Sequence, residues 1–489
     1  MKKTNTKLMT CPRRCLAHFN IYPAMLSRLK EPAVRVRVLR DVGLLLLVST
    51  ALACFCVTKD GGMDLYMSTF LPMLFVLTAL FVFTETLESS RAIAFCTSIL
   101  ILTGMTLQIL LMLPGSEESP PSAYSLVSHN IISLFFATAA LPVMRWLLTE
   151  INHRLLTRIL VGTLLVLYLV LLVFGSTYNS TRAWISVGGF NFQMTEVTKM
   201  VTLMAYAVVF VNPGIPHHTR LNQALGILLL NGVFLLVINE LGTLCVLGAV
   251  YMLMAMIYQP SLKRLAVTVA LSAVAAAMVL FLCFLCYQAK HPIPEADPEA
   301  ATEAVEVEVE AEEEAETITL NPVAELGAKI YGKFQLRMAV ILDPDSVDPD
   351  DGGYQARKAK ESLVLSNWFG SALEVFIPVA ESDYIFCYLL LKMGVCFGIA
   401  VLLMLLCILV NALEGCLKTA SPLEGAVGLA FVLAIVTQAV VAAASSTGYF
   451  ITIGLPFAFL ASGGSAMLTN YTMMFFLIYA VRRHLPIST

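Results

Sequence analysis

Apolar residues in this chain fall in runs of about 20, long enough to cross a hydrocarbon core of roughly 30 Å, with short polar stretches between them. Twelve such runs lie near 42–57, 67–84, 92–112, 127–147, 155–175, 196–212, 223–239, 243–258, 264–287, 383–411, 423–445 and 466–482. Backbone N–H and C=O groups find no partner in lipid, so each run is expected to be helical. The fold class is therefore all-α, a polytopic bundle of about twelve transmembrane helices.

The polar intervals divide the chain. A tail (1–41) precedes the N-terminal spans (42–147), and a first core part (148–287) carries an unusually long loop at 176–195. A large loop (288–382) then leads to the C-terminal spans (383–482) and a short tail (483–489). Within the large loop, 294–320 holds an acidic insert, and Glu295 to Glu316 has eleven acidic residues with no Gly, aromatic or Lys. That composition cannot bury a core and reads as disordered. The rest of the loop, with Tyr331 to Arg337, Asp343-Pro344, Gly352-Gly353-Tyr354-Gln355 and Asn367-Trp368-Phe369-Gly370, mixes aromatics, glycines and charges. Short amphipathic helices on the membrane are expected there.

Composition agrees with the pattern: 58% of the 489 residues are hydrophobic and 13% charged, with mean hydropathy +0.80, which excludes a water-soluble globular protein. Charge adds direction. The first 40 residues carry ten Lys and Arg against one acid, Glu31, and no signal-peptide pattern. With this tail inside, Arg154, Arg158, Arg220, Lys263, Arg264, Lys418, Arg482 and Arg483 also fall inside, and both termini are cytoplasmic. The loops at 176–195 and 288–382 then face outward.

Of the twelve cysteines, most sit in apolar runs as small hydrophobes. Cys283 with Cys286, and Cys11 with Cys15, lack the second ligand pair that a metal site needs. Arg182 and Trp184 in the 176–195 loop suit either a membrane anchor or a lip for an anionic headgroup. Asn179-Ser180-Thr181 has the form of a glycosylation sequon. Glu196 and Lys199 are three apart, the spacing of a local helical ion pair or of a retained intramembrane site. Glu240 and Gln438 serve an interhelical hydrogen bond or line a polar site. Asp383, preceded by Glu381-Ser382, fits a helix cap.

The stretch from Arg182 to Lys199, with Trp184, Ile185, Gly188, Phe190, Gln193, Glu196 and Lys199, resembles the signature loop of the SEDS family, the bacterial FtsW, RodA and SpoVE proteins. Met194 and Thr195 stand where that pattern has Pro and Ser. Further resemblances follow in the same order: Glu240-Leu241-Gly242-Thr243, Gly353-Tyr354-Gln355, Asp383-Tyr384-Ile385-Phe386, then Gln438, Gly448, Gly454 and Ser462-Gly463-Gly464-Ser465. Members usually have ten spans, so two surplus spans lie before the signature loop. Leu391, Lys392 and Ala442 stand where the family has two Glu and an Asn.

The resemblance implies an inverting peptidoglycan glycosyltransferase that polymerises lipid II at the outer face of the cytoplasmic membrane, paired with a class B penicillin-binding protein. Asp383 is implied as the base acting on the acceptor GlcNAc 4-hydroxyl. Arg182, Lys199 and Arg337 are candidates for the diphosphate. Trp184, Gln193, Glu196, Glu240, Gln438, Ser462, Gly463, Gly464 and Ser465 complete the candidate substrate-binding set, with Gly463 and Gly464 allowing a tight re-entrant turn. A divalent cation, Mg or Mn, would suit the diphosphate, although no ligand cluster is visible in the sequence. A precursor flippase and a catalytically silent scaffold are the other readings.

Overall fold

A computed structural model describes residues 21–57, 62–112, 123–178, 181–187, 190–258, 262–290, 322–342, 353–373, 375–451 and 454–483. The N-terminal tail up to residue 20, the acidic insert, Asp343-Pro344, Gly352, Asn179-Ser180 and Gly188-Gly189 lie outside the described residues. A short helix α1 (Ile21–Leu29) leads into α2 (Pro32–Val57), α3 (Gly62–Thr86), α4 (Arg91–Met112), α5 (Ala123–Glu150) and α6 (His153–Phe174). Strands β1 (Ser176–Tyr178), β2 (Thr181–Val187) and β3 (Phe190–Gln193) precede α7 (Met194–Val211), α8 (His217–Val237), α9 (Leu241–Tyr258) and α10 (Leu262–Lys290). Then come α11 (Pro322–Leu342), α12 (Gly353–Val364), α13 (Ile385–Met393), α14 (Val395–Lys418), α15 (Pro422–Ser446) and α16 (Gly464–Ala480).

Among the described residues, ten helices are long and apolar enough to cross a membrane, from α2 through α9 together with α14 and α15. Helices α10 and α16 occupy the other two expected runs. Burial sorts these helices into layers. Almost every residue of α7, α15 and α16 is buried, whereas α6, α8 and α14 leave stripes such as Leu165, Leu169, Val233 and Leu403 uncovered. In lipid an exposed Leu stripe costs nothing, so the inner helices are those that carry polar side chains needing partners.

Three expectations change. The 176–195 loop is a small antiparallel sheet in the order β1-β2-β3, with Trp184 opposite Gln193 and Val187 opposite Phe190. The alternating aromatic and polar residues of this stretch fit a pleated ribbon. Tyr331 to Arg337 belongs to the 21-residue α11, which packs mainly on α10 rather than forming short surface helices. Gly327 lies against Cys283 and Cys286 there, and Gly332 against Tyr287.

The third change is the run at 383–411, which breaks at Gly394 into the nine-residue α13 and the spanning α14. Gly394 has φ 96°, where only glycine is comfortable, and a Cβ there would press on the Trp368 carbonyl and on the Phe369 carbonyl carbon at 2.7 Å. The amides of Val395 and Cys396 donate to the carbonyls of Asn367 and Trp368 at 3.0 and 3.1 Å. Asp383 thus precedes a short buried helix instead of opening a span.

Candidate functional site

One end of the bundle gathers β2, the α8–α9 turn, α11 and the segments before α13 and α16. The α8–α9 turn is shaped by Asn239 at φ 65° and held by β2, since the Arg182 amide donates to the Ile238 carbonyl at 3.0 Å. This fixes Glu240, whose carboxylate accepts from the Thr243 hydroxyl at 3.3 Å. Burial, and secondarily the charge of Glu196, push Glu240 up to about 7, against the opposing pull of Thr243, Arg337 and Lys333.

Asp383 sits on a turn with a dense set of ties. The preceding carbonyl of Glu381 accepts from the Ser462 amide at 3.1 Å, the Ser462 hydroxyl at 3.4 Å and the Gln108 amide at 3.0 Å. Gln108 also donates to the Leu460 carbonyl at 3.2 Å, so α4, the 455–463 segment and the Asp383 turn form one unit. On the far side Phe386 stacks on Phe457 at 5.5 Å, and Cys387 Sγ donates to the Ser446 carbonyl at 2.9 Å. Gly454, at φ 60°, leaves room for the carboxylate: a Cβ at that glycine would lie 3.4 Å from Asp383 Oδ2. Burial raises Asp383 to about 6, despite hydrogen bonding from Ser382 and the charge of Arg337. The helix cap position is Tyr384, which makes no side-chain cap bond, so Asp383 is not engaged in capping α13.

Arg337 on α11 is the cation between these acids. Burial lowers it while the charges of Glu240 and Asp383 act to raise it, and its Nη1 is buried without a hydrogen-bond partner. Lys333, one turn earlier, is held down to about 8 by burial and by Arg337, with Glu240 opposing.

A second cluster lies deeper, within α7, α15 and α16. Lys199 Nζ donates to Glu196 Oε2 at 2.7 Å and to Gln438 Oε1 at 2.6 Å. The Thr469 hydroxyl donates to Glu196 Oε2 at 2.9 Å, and Gln438 Nε2 donates to the Pro456 carbonyl at 2.9 Å. The charge of Glu196 acts on Glu240, which links the two clusters.

The structure thus brings together Glu240, Arg337 and Asp383 in one group and Glu196, Lys199 and Gln438 in another. Ser462 binds the Asp383 turn, while Gly463 caps α16 and Gly464 begins it. A Cβ at Gly464 would lie 3.1 Å from His129 Nε2, and Ser465 is buried, its carbonyl accepting from Thr469 at 3.3 Å. Arg182 stands apart: it is exposed and its Nε donates to the Gly175 carbonyl at 3.0 Å. Trp184 and Gln193 are cross-strand partners in the sheet. Leu391 is fully buried and Lys392 Nζ donates to the Leu373 carbonyl at 3.0 Å, both at the end of α13 away from Asp383. Among the described residues no three His, Cys, Asp or Glu converge on a point.

Sequence reasoning passed over Gln108, His129 and Lys333. The first two are polar residues inside apolar runs, a signal of its own in a membrane chain. Lys333 carries no such signal, because its loop is rich in charge. At the opposite end of the bundle a pocket of about 1230 Å³ is lined by Arg37, Glu85, Arg91, Glu414, Lys418 and Arg482. Its charges pair among themselves or with neighbours: Glu85 with Arg37 and Arg91, Glu414 with Lys418, and Arg482 with Glu424.

A bundle that holds, among the described residues, ten helices long and apolar enough to cross a membrane, with ionic clusters buried inside it, defines a multi-pass membrane protein. The chain belongs to the FtsW/RodA/SpoVE family: the family model described as "Cell cycle protein" matches residues 90–303 and 317–486. The probable peptidoglycan glycosyltransferase FtsW of Acinetobacter baylyi is 21% identical over 409 residues, covering 79% of this chain and 88% of that protein. An FtsW of Cyanophora paradoxa is 28% identical over 148 residues, 29% of this chain and only 37% of that protein. Among solved structures, a chain from a peptidoglycan synthase complex that coordinates polymerization and crosslinking superposes with TM-score 0.56 at 17% identity, covering 81% of this chain and 98% of that one. That likeness establishes the fold.

Proposed function

We propose that this chain is a peptidoglycan polymerase, transferring the growing glycan from undecaprenyl diphosphate to the GlcNAc 4-hydroxyl of lipid II at the outer face of the cytoplasmic membrane. The observation that carries the reading is the group Asp383, Arg337 and Glu240 gathered at one end of the bundle. Asp383 takes the proton from the attacking hydroxyl. Its carboxyl, raised to about 6, is ionised at neutral pH yet more basic than an ordinary aspartate. Attack on the anomeric carbon breaks its bond to the diphosphate from the opposite face, so configuration inverts without a covalent enzyme intermediate. Arg337, with an unused buried N–H, supplies charge for the departing diphosphate. Among the described residues no three His, Cys, Asp or Glu converge to hold a resident metal.

The Leu391 and Lys392 positions do not argue for a silent scaffold. At about 1.5 Å per residue along a helix, Leu391 lies about 9 Å beyond Ile385, the first residue of α13, and so away from the acid group. A single-span class B penicillin-binding protein is the partner we infer for the bundle, by analogy with the synthase complex it resembles.

The test is polymerisation of labelled lipid II by the purified protein with its co-purifying transpeptidase. Glycan chains are expected from wild type, and a loss of about 10²-fold or more from Asp383→Asn. No polymer from wild type overturns the enzyme reading; undiminished polymer from Asp383→Asn overturns the assignment of the base.

A further inference from the structure

We propose that Lys333 is a binding residue for the diphosphate, completing with Arg337 a two-cation cradle on one face of α11 that no family motif in this chain marks. The two residues are four apart on a helix, hence stacked one turn above the other on the same side. Among the described residues neither makes an ion pair at contact distance, although Lys333 is half-buried and Arg337 has a buried, unpartnered N–H. Three other cations at this end are engaged: Arg182 donates to Gly175, Lys392 to Leu373 and Lys199 to Glu196 and Gln438.

Two like charges placed side by side and withdrawn from water are costly unless an anion joins them. Glu240 faces both, and Asp383 faces Arg337, but neither carboxylate closes to a contact pair. The donors left over, an ammonium and part of a guanidinium spaced along one helical turn, match two adjacent phosphate groups better than one. Helix α10, packed against α11, presents Tyr287 and Lys290 on this side, and Lys290 acts on Glu325 rather than on Lys333. On α12 Lys358 pairs with Glu361 at 2.8 Å. Lys329, paired with Glu325 at 2.9 Å and well exposed, lies on the same helix and serves as a control.

The proposal rests on reading this end as the seat of a lipid-linked diphosphate, but its test needs no turnover. Binding of labelled undecaprenyl diphosphate and undecaprenyl phosphate is measured on the full-length protein in lipid nanodiscs. Lys333→Gln is expected to weaken the diphosphate by about tenfold or more, the value of one charge-assisted contact, and the monophosphate distinctly less. Lys333→Arg restores the affinity and Lys329→Gln leaves it unchanged. The wild-type affinity falls as pH rises past about 8, where Lys333 gives up its proton, and that fall is absent in Lys333→Arg.

Thermal unfolding distinguishes binding from scaffolding. Lys333→Gln removes a desolvated, unpaired charge and should hold or raise the melting temperature, whereas a structural lysine would lower it. Diphosphate affinity unchanged in Lys333→Gln, equal losses for both lipids, or a lowered melting temperature each overturns the proposal. Diphosphate bound in this pattern by a protein that forms no glycan would sink the polymerase reading and leave the cradle standing.

Discussion

The Lys199 cluster offers the sharpest test of the energetics. Lys199 and Glu196 side chains are 1% and 2% exposed, and the ammonium divides its hydrogen bonds between Glu196 and Gln438. Lys199→Met keeps most of the stem volume but leaves the Glu196 carboxylate with only the Thr469 hydroxyl among its described partners. An ion stranded in this way costs about 3–5 kcal/mol. The double variant Lys199→Met with Glu196→Gln removes the stranded charge. Thr469 then keeps its acceptor, and the net deficit falls to a neutral interhelical hydrogen bond or two, about 0.6 kcal/mol each on average. The double variant should therefore be more stable than the single one by about 2 kcal/mol or more, the reverse of simple additivity. Reversible unfolding in bicelles by steric trapping, on wild type, both singles and the double, gives the cycle directly. A Lys199→Met cost below about 1 kcal/mol, or a double variant no more stable than the single, would refute the account of a stranded Glu196 carboxylate.

Two further outcomes are expected. Gly394→Ala adds a Cβ at φ 96° against backbone atoms of residues 368–370, so the α13–α14 junction must move off that segment; a loss of about 2–4 kcal/mol, read as a fall in thermal stability, follows from left-handed strain plus overpacking. Asp383 is raised from 3.8 to about 6, so its stabilising contribution is present below pH 4 and lost as pH rises through about 6. Asp383→Asn should accordingly melt higher than wild type at pH 8 and nearly level with it at pH 4, measured by differential scanning fluorimetry; an equal gain at both values would refute the burial argument.

Length and spacing of apolar runs were enough to locate the long apolar helices, because lipid leaves a 20-residue apolar segment no other way to satisfy its backbone. Loop charges set the expected orientation for a similarly local reason. Glu196 and Lys199 could be paired from their spacing alone, since three residues bring side chains to one helix face. Local rules also misled. Apolar character continues through residues 385–410 with Lys392 as its one charge, so hydropathy does not separate two helices at Gly394; the break depends on the 367–370 segment docking its carbonyls there.

What tertiary structure alone decided is which polar residues share a place. Lys199 meets Gln438 across 239 residues, and Gln108 holds the Glu381 carbonyl across 273. Arg337 reaches Asp383 and Glu240 only because α11 folds back along α10. Sequence lists the donors and acceptors of a buried chain, but each must find its partner in three dimensions. In this protein the unmatched remainder, Lys333 with part of Arg337, is the feature that the linear sequence could not display.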